Sequence, residues 1–160
     1  MTKYFVTADT HFCHENIIKY CNRPFRDLSH MNSALIKKWN TLVSKNDYVF
    51  VLGDFSLGNA ELTKQIGLQL NGRKILIKGN HDNLPNQVYF DAGFREVSSY
   101  PILFDGFYLM SHEPLVLSQT TPYFNFYGHI HNDERYVDTL TSKCISVERT
   151  AYQPYKFLEK

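Results

Sequence analysis

The side chains that could do chemistry in this 160-residue sequence are carboxylates, imidazoles and one amide, and they follow short apolar runs. They occur in the groups Asp9-Thr10-His11, Gly53-Asp54, Gly79-Asn80-His81-Asp82, His112 and Gly128-His129-Ile130-His131. An imidazole moves a proton near neutral pH, a carboxylate beside it can fix its tautomer, and an amide oxygen can complete a metal's coordination shell. These residue types therefore indicate metal-assisted acid–base chemistry.

The elements that must position these groups can be read from the apolar runs before them. Runs at 3–8, 48–52 and 75–77 predict strands, with a helix that starts at Ser29 and another that starts at Asn59 between them. The second half predicts strands at 95–100, 102–104, 107–110, 124–127, 144–149 and 155–158, with an antiparallel hairpin turning at Asp105-Gly106. Open α/β sheets bind ligands at the carboxyl ends of their strands, so we expect the polar groups to meet at one edge.

One Asp or His after a strand more often forms a turn, a cap or a structural hydrogen bond. Five strand ends that carry such residues are hard to explain in that way. Oxygen and nitrogen donors without thiolates suit Mn, Fe or Zn. Seven donors exceed a tetrahedral zinc shell, so we predict two ions about 3.5–4 Å apart, bridged by Asp54 and by a water whose pKa falls to about 7. The candidate ligands are Asp9, His11, Asp54, Asn80, His112, His129 and His131.

Composition limits the class of protein. The length suits one domain, which we place at residues 1–160. A net charge of +1 gives no global field that would steer the protein to nucleic acid or to an acidic membrane surface, and we expect no membrane partner and see no obvious nucleic-acid patch, although this charge is compatible with local patches. The three cysteines are odd in number and form no CxxC pair, which favours a reducing compartment. No export signal or membrane span is evident, and we expect a cytoplasmic protein.

In their order along the chain, Asp9-x-His11, Gly53-Asp54, Gly79-Asn80-His81-Asp82, His112 and Gly128-His129-x-His131 resemble the five blocks of the calcineurin-like metallophosphoesterase superfamily. The segment from Asp9 to Phe25 also resembles a group of small bacterial and phage phosphoesterases. The resemblance implies an α/β fold, a mixed two-sheet β-sandwich flanked by helices in four layers, α/β/β/α.

The resemblance also implies roles for single residues. One ion would be held by Asp9, His11, Asp54 and His131, and the other by Asp54, Asn80, His112 and His129. His81 would protonate the leaving oxygen or hold the phosphoryl group, and Asp82 would orient it. Manganese is the favoured metal, with iron, zinc or nickel as alternatives.

The expected activity is hydrolysis of phosphate esters by a metal-bridging hydroxide. Phe55 follows Gly53-Asp54 where protein phosphatases of the superfamily carry an arginine that grips phosphate, so a phosphodiester is favoured, with nucleotides among the candidates. A phosphomonoesterase and a catalytically silent binding module are the alternatives, and the intact Asn80-His81 pair counts against the second. The loop after the first strand is predicted to recognise the substrate through His14, Asn16, Arg23 and Arg26, although an ordinary solvated loop would have the same composition.

Overall fold

Two β-sheets form the centre of the protein. The structure is a computed structural model, which describes residues 1–118 and 120–160. The strands are β1 (Lys3–Thr7), β2 (Tyr48–Leu52), β3 (Arg73–Ile77), β4 (Phe94–Ser98), β5 (Ile102–Phe104), β6 (Tyr108–Met110), β7 (Phe124–Tyr127), β8 (Ser142–Cys144) and β9 (Tyr155–Glu159). The α-helices are α1 (Asn16–Tyr20), α2 (Leu28–Leu42), α3 (Ala60–Gln69) and α4 (Asn86–Asp91), and a short 3₁₀ helix spans Val147–Arg149.

Both sheets are mixed. The first has the order β4-β3-β2-β1-β9, in which only β9 runs antiparallel to its neighbour. The second has the order β5-β6-β7-β8, in which only the β5–β6 pair is antiparallel. The strands that precede the polar groups are therefore the parallel ones, and their carboxyl ends point the same way within each sheet.

Alternation along the strands of the first sheet sends side chains into two separate cores. Phe5, Val49 and Leu76 face the helices, where they pack with Trp39 of α2 and Tyr89 of α4. The neighbouring strand positions face the second sheet and form the layer between the sheets, which contains Val6, Phe50, Leu52, Ile77, Met110 and Phe126. The predicted class, an α/β fold with a mixed two-sheet sandwich flanked by helices, is confirmed.

The helices differ in detail from the predictions. Asp27 rather than Ser29 caps α2, because its side chain accepts the N–H of His30 at 2.8 Å. On α3, Leu62 is 44% exposed, and its neighbour Thr63 is buried. All four described α-helices contribute to the core on the first sheet, and the predicted helix layer beyond the second sheet has no α-helix among the described residues. The chain after β4 is instead used for short strands and loops.

The hairpin predicted at Asp105-Gly106 is confirmed, since β5 pairs antiparallel with β6. The strand predicted before it, at 95–100, is β4, which joins the first sheet parallel to β3, while β5 starts the second sheet. The predicted strand at 144–149 ends early, since β8 covers Ser142–Cys144 and the chain then turns into the 3₁₀ helix. Within the described part of the chain, we find no helix with the length and hydropathy needed to cross a membrane.

Candidate metal centre

The seven predicted ligands follow five parallel strands and converge on one place between the two sheets. Asp9 and His11 follow β1, Asp54 follows β2 and Asn80 follows β3. From the second sheet, His112 follows β6, and His129 and His131 follow β7. The structure thus brings together side chains that are up to 122 positions apart, from Asp9 to His131.

One group of donor atoms contains Asp9, His11 and His131, whose ligand atoms lie within 4.8 Å of one another. Asp9 Oδ2 accepts hydrogen bonds from the backbone N–H of His129 at 2.8 Å and from Ser146 Oγ at 2.6 Å. Its other oxygen, Oδ1, and the Nε2 atom of His11 are buried and have no hydrogen-bond partner among the described residues. Buried polar atoms without partners are costly, and a cation placed between them would satisfy both.

Asp54 connects this group to a second one. Its Oδ2 atom lies 3.4 Å from His11 Nε2 and 3.6 Å from His112 Nε2. His112 donates its Nδ1 proton to the Leu52 carbonyl at 2.8 Å, which turns Nε2 toward Asn80 Oδ1 at 2.9 Å. His129 Nδ1 lies 3.2 Å from both the Asn80 and the His112 atoms. The donor set of carboxylate, amide and imidazole therefore fits two divalent ions, with Asp54 between them.

The backbone at the site is strained. Five of the seven predicted ligands have a positive φ, although none is glycine: Asp9 (56°), His11 (49°), Asp54 (52°), His129 (70°) and His131 (50°). Non-glycine residues adopt such angles rarely, and they cluster at functional sites. Two glycines allow the close packing that this needs, because a Cβ on Gly79 would lie 2.3 Å from Asp54 Oδ1 and one on Gly128 would lie 2.6 Å from Asp9 Oδ2.

Electrostatics favours the protonation states that metal binding requires at His11 and Asp54 but not at His131. Burial lowers the pKa of His11 to about 4, so its ring is neutral at pH 7. Burial also opposes ionisation of Asp54, but the His11 ring, whose Nε2 approaches Oδ2 to 3.4 Å, and the charge of His112 outweigh it and bring the pKa of Asp54 to about 2. Burial raises the pKa of Asp9 to about 6. Burial opposes the charged form of His131, but contacts with Cys21 and Glu148 and the charge of Asp9 outweigh it and raise its pKa to about 10, so a cation must displace a proton there. A neutral imidazole and ionised carboxylates are the forms that bind a cation.

His81 and Asp82, the two predicted catalytic residues, lie in different surroundings. His81 is exposed, its ring centroid is 5.6 Å from that of His11, and its backbone N–H donates to Asp54 Oδ1 at 2.9 Å. Asp82 is buried and accepts the backbone N–H groups of Asp54, Phe55 and Gly79 at 2.7, 3.0 and 2.9 Å. These hydrogen bonds fix two ligand-bearing loops, and no hydrogen bond between the Asp82 carboxylate and the His81 ring is found among the described residues.

The four residues predicted to recognise substrate also lie in different surroundings. His14 Nδ1 lies 3.3 Å from His11 Nδ1, which places it beside the site. Asn16 is exposed at the start of α1, and Arg26 is exposed and paired with Asp27. Arg23 contradicts the prediction, because its guanidinium is wholly buried and ion-paired with Glu148 at 2.7 Å, out of reach of a substrate.

Sequence reasoning missed Glu148 and Ser146. Glu148 Oε1 lies 3.0 Å from His131 Nδ1, and Ser146 holds Asp9 as described above. One signal could have found Glu148: it is a carboxylate within the mostly apolar strand predicted at 144–149, and a buried acid needs a partner.

A cavity of about 340 Å³ opens beside Asn80 and His112. Its wall includes Tyr100, whose side chain is 77% exposed, together with Pro101 and Leu115. A larger cavity of about 460 Å³ next to β9 has none of the predicted ligands in its lining, so we associate the smaller one with the site.

Comparison with known proteins gives consistent matches. The profile of the calcineurin-like phosphoesterase family matches residues 2–160. The uncharacterized protein MJ1445 of Methanocaldococcus jannaschii is 40% identical over 122 residues, which cover 70% of this chain and 69% of that protein. The Gene 66 protein of Mycobacterium phage L5 is 32% identical over 108 residues, which cover 66% of this chain but only 51% of the phage protein.

Two solved structures resemble this fold. The protein of unknown function AQ665 from Aquifex aeolicus superimposes with a TM-score of 0.72 at 24% identity, over 98% of this chain and 96% of its own. Nuclease MPE of Pseudomonas putida gives a TM-score of 0.55 at 20% identity, over 80% of this chain and 61% of its own. At these identities the likeness establishes the fold alone.

Proposed function

The chain belongs to the calcineurin-like phosphoesterase family, which makes it a metal-dependent hydrolase of phosphate esters, and we propose that its substrate is a phosphodiester. We further propose that the two ions of this site are held by the seven residues at the strand ends. The observation that carries the proposal is the pair of buried, unpartnered atoms, Asp9 Oδ1 and His11 Nε2, close to the Asp54 carboxylate.

Each half of the site would hold one ion. Asp9, His11 and His131 surround one position, Asn80, His112 and His129 surround the other, and Asp54 is shared. We propose manganese as the resident metal, since oxygen and nitrogen ligands without thiolates suit it. When bound, divalent cations supply a water-derived nucleophile at neutral pH and offset the negative charge that develops on the phosphoryl oxygens.

The chain's own residues would then orient the ester and move a proton. His81 is exposed at the mouth of the site, and its backbone N–H is tied to Asp54, which keeps the imidazole near any ester that the ions hold. An alkoxide leaving group needs a proton, and we propose that the His81 imidazole donates it to the leaving oxygen. His14, which lies beside His11, would contact the phosphoryl group from the opposite loop.

The cavity beside Asn80 and His112 supports a substrate with an aromatic or nucleotide substituent. A tyrosine ring that is 77% exposed, next to a proline and a leucine, offers a stacking surface within reach of the proposed metal ligands. Such a surface suits one of the two organic groups of a phosphodiester. It also suits a nucleotide, whose base would lie on Tyr100.

The test compares bis(p-nitrophenyl) phosphate with p-nitrophenyl phosphate on protein whose metal content has been measured. We expect Mn²⁺ to stimulate hydrolysis of the diester more than that of the monoester. Equal or faster hydrolysis of the monoester would favour a phosphomonoesterase. No turnover of either substrate with Mn, Ni, Zn or Fe, in protein that contains metal, would favour a binding module.

The role of Tyr100 is tested by Tyr100→Ala and Tyr100→Phe. The alanine variant should raise KM for the aromatic diester about tenfold with little change in kcat, because a stacking contact is worth about 1–2 kcal/mol. The phenylalanine variant should behave like the wild type, as should Tyr136→Ala, which removes an exposed tyrosine outside the cavity. Unchanged kinetics in Tyr100→Ala would remove the cavity from the proposal.

We also propose that residues 1–160 act as one domain, because the site takes ligands from both sheets. Cys13, Cys21 and Cys144 form no disulfide, which supports a reducing compartment such as the cytoplasm.

A further inference from the structure

Arg23 lies under the site, with every edge of its guanidinium engaged by the protein. Nη1 donates to the Thr10 carbonyl at 2.9 Å, and Nη2 donates to the Asp9 carbonyl at 2.7 Å. Nε and Nη2 also reach Glu148 Oε1, at 2.9 and 2.7 Å. One buried cation therefore ties the segment after β1 to the segment after β8.

Glu148 also contacts a predicted metal ligand, His131. The Oε1 atom that receives Arg23 also lies 3.0 Å from His131 Nδ1, so it can accept the proton on that nitrogen. With Nδ1 engaged, the other ring nitrogen of His131 is free to face Asp9 and His11. A carboxylate that holds a metal-binding histidine in this way fixes both its tautomer and its ring orientation.

We propose that Arg23 and Glu148 are positioning residues for the ion that Asp9, His11 and His131 would hold. Arg23 holds the main chain at Asp9, a residue with a φ of 56°, and Glu148 holds the His131 side chain. The two act through the ligands and touch neither the substrate nor the ion. This inference rests on the metal centre proposed above. It adds that Arg23 and Glu148 support only one of the two ion positions.

Glu148 also belongs to a second group of potential metal ligands. Cys21, His131 and Glu148 also offer ligand atoms within 4.8 Å of one another, which would suit a separate cation. The Arg23 guanidinium, 2.7 Å from the Glu148 carboxylate, already supplies the positive charge there. Since like charges at such distances repel strongly in a buried site, Arg23 directs a metal ion to the Asp9 side of His131.

The experiment titrates metal-free protein with Mn²⁺ alone and follows binding by calorimetry and by the Mn²⁺ electron paramagnetic resonance signal. In Glu148→Ala, we expect one of two Mn²⁺ sites to weaken about 10- to 100-fold while the other keeps its affinity, as is usual for the loss of an outer-shell partner. Glu148→Gln should recover part of the loss, because its amide oxygen can still accept the His131 proton. Arg23→Lys should also weaken one site, since an ammonium group cannot serve Asp9, Thr10 and Glu148 together.

Controls separate positioning from general damage. The melting temperature of each metal-free variant reports on folding, and Glu134→Gln, an exposed glutamate, should match the wild type. If Glu148→Ala does not fold, Glu148→Gln and Arg23→Lys provide the test. Two Mn²⁺ per wild-type chain with unchanged affinities in the variants, or equal weakening of both sites, would overturn the positioning role alone. Fewer than two Mn²⁺ in the wild type would overturn the proposed centre as well as this inference.

Discussion

His112 Nε2 lies 2.9 Å from Asn80 Oδ1, although His112 already donates its Nδ1 proton to the Leu52 carbonyl. In the neutral ring, this places two lone pairs face to face at hydrogen-bonding distance. A divalent cation between them would turn the repulsion into coordination. This contact, together with the unpartnered atoms of Asp9 and His11, is the physical reason to expect that the site binds metal ions.

Removing metal should destabilise the protein. Mn²⁺ binds the folded chain in preference to the unfolded one, so a concentration of 100 times Kd adds about 2.7 kcal/mol per site to the free energy of unfolding. Urea denaturation with and without a chelator measures this difference. Ca²⁺, which prefers a shell made entirely of oxygens, should restore much less stability than Mn²⁺. Equal stability in chelator and in Mn²⁺ would contradict the presence of a site.

Asp54→Asn should affect both ions. The amide keeps the size of the side chain but lacks the charge that two neighbouring cations require, so we expect kcat/KM to fall at least about 100-fold and bound Mn²⁺ to fall with it. Metal analysis after gel filtration gives the stoichiometry. Asp91→Asn is the matched control, because Asp91 is exposed and bonded only to Gln87 among the described residues. Full Mn²⁺ content in Asp54→Asn would show that Asp54 does not bridge.

His81→Gln should separate proton transfer from metal binding. A diester with an alkyl leaving group needs a proton, so its kcat should fall by about 10²- to 10⁴-fold. A p-nitrophenolate leaves without one, and hydrolysis of its ester should fall much less. Metal content should not change, and His30→Gln, which alters an exposed histidine on α2, should leave both rates intact. The same loss on both esters would assign His81 to binding instead.

Gly128→Ala tests how tightly the two sheets approach at the site. The new methyl group would lie 2.5 Å from Ala8 Cβ as well as close to Asp9 Oδ2, so the loops must separate. We expect a loss of about 1–3 kcal/mol in the free energy of unfolding, together with weaker Mn²⁺ binding. Gly106→Ala has open space around the new methyl group and only an unfavourable φ of 66°, so it should lose stability but keep its Mn²⁺ affinity.

Lys74 should give the protein a pH-dependent stability that has nothing to do with the metals. Burial lowers its pKa to about 8, while the unfolded chain titrates near 10.4. Between these values the unfolded state binds more protons, so the free energy of unfolding should rise with pH, by on the order of 3 kcal/mol across the window. Below pH 8 both states are protonated and the contribution is constant. In urea denaturation from pH 7 to 10.5, the free energy of unfolding of the wild type minus that of Lys74→Met should show this rise. The difference between the wild type and Lys64→Met, an exposed control, should stay constant.

The sequence predicted the inner strands of the first sheet well, because β1, β2 and β3 are largely apolar and are separated by amphipathic helices. Tyr48–Leu52 and Arg73–Ile77 are observed as strands within two residues of their predicted limits. The second sheet was harder to predict. Its strands have three or four residues, and nothing local distinguishes Phe94–Ser98, which joins the first sheet, from Ile102–Phe104, which joins the second.

The candidate site was also predictable only in part: its ligands could be predicted from the sequence, but the contacts that support them could not. Residues that follow parallel strands must meet, so the seven ligand predictions needed only the strand directions. The supporting contacts could not be predicted, because they depend on packing between distant segments. Arg23 and Glu148 are 125 positions apart, and the hydrogen bonds of Asp82 to three backbone amides leave no trace in the residue pattern.

The positive φ angles at five of the predicted ligands imply a trade-off between the stability of the fold and metal binding. Glycine at any of these positions would relax the chain and remove a donor in the same step. Directed evolution that selects for thermal stability alone would therefore tend to replace these metal-ligating residues first.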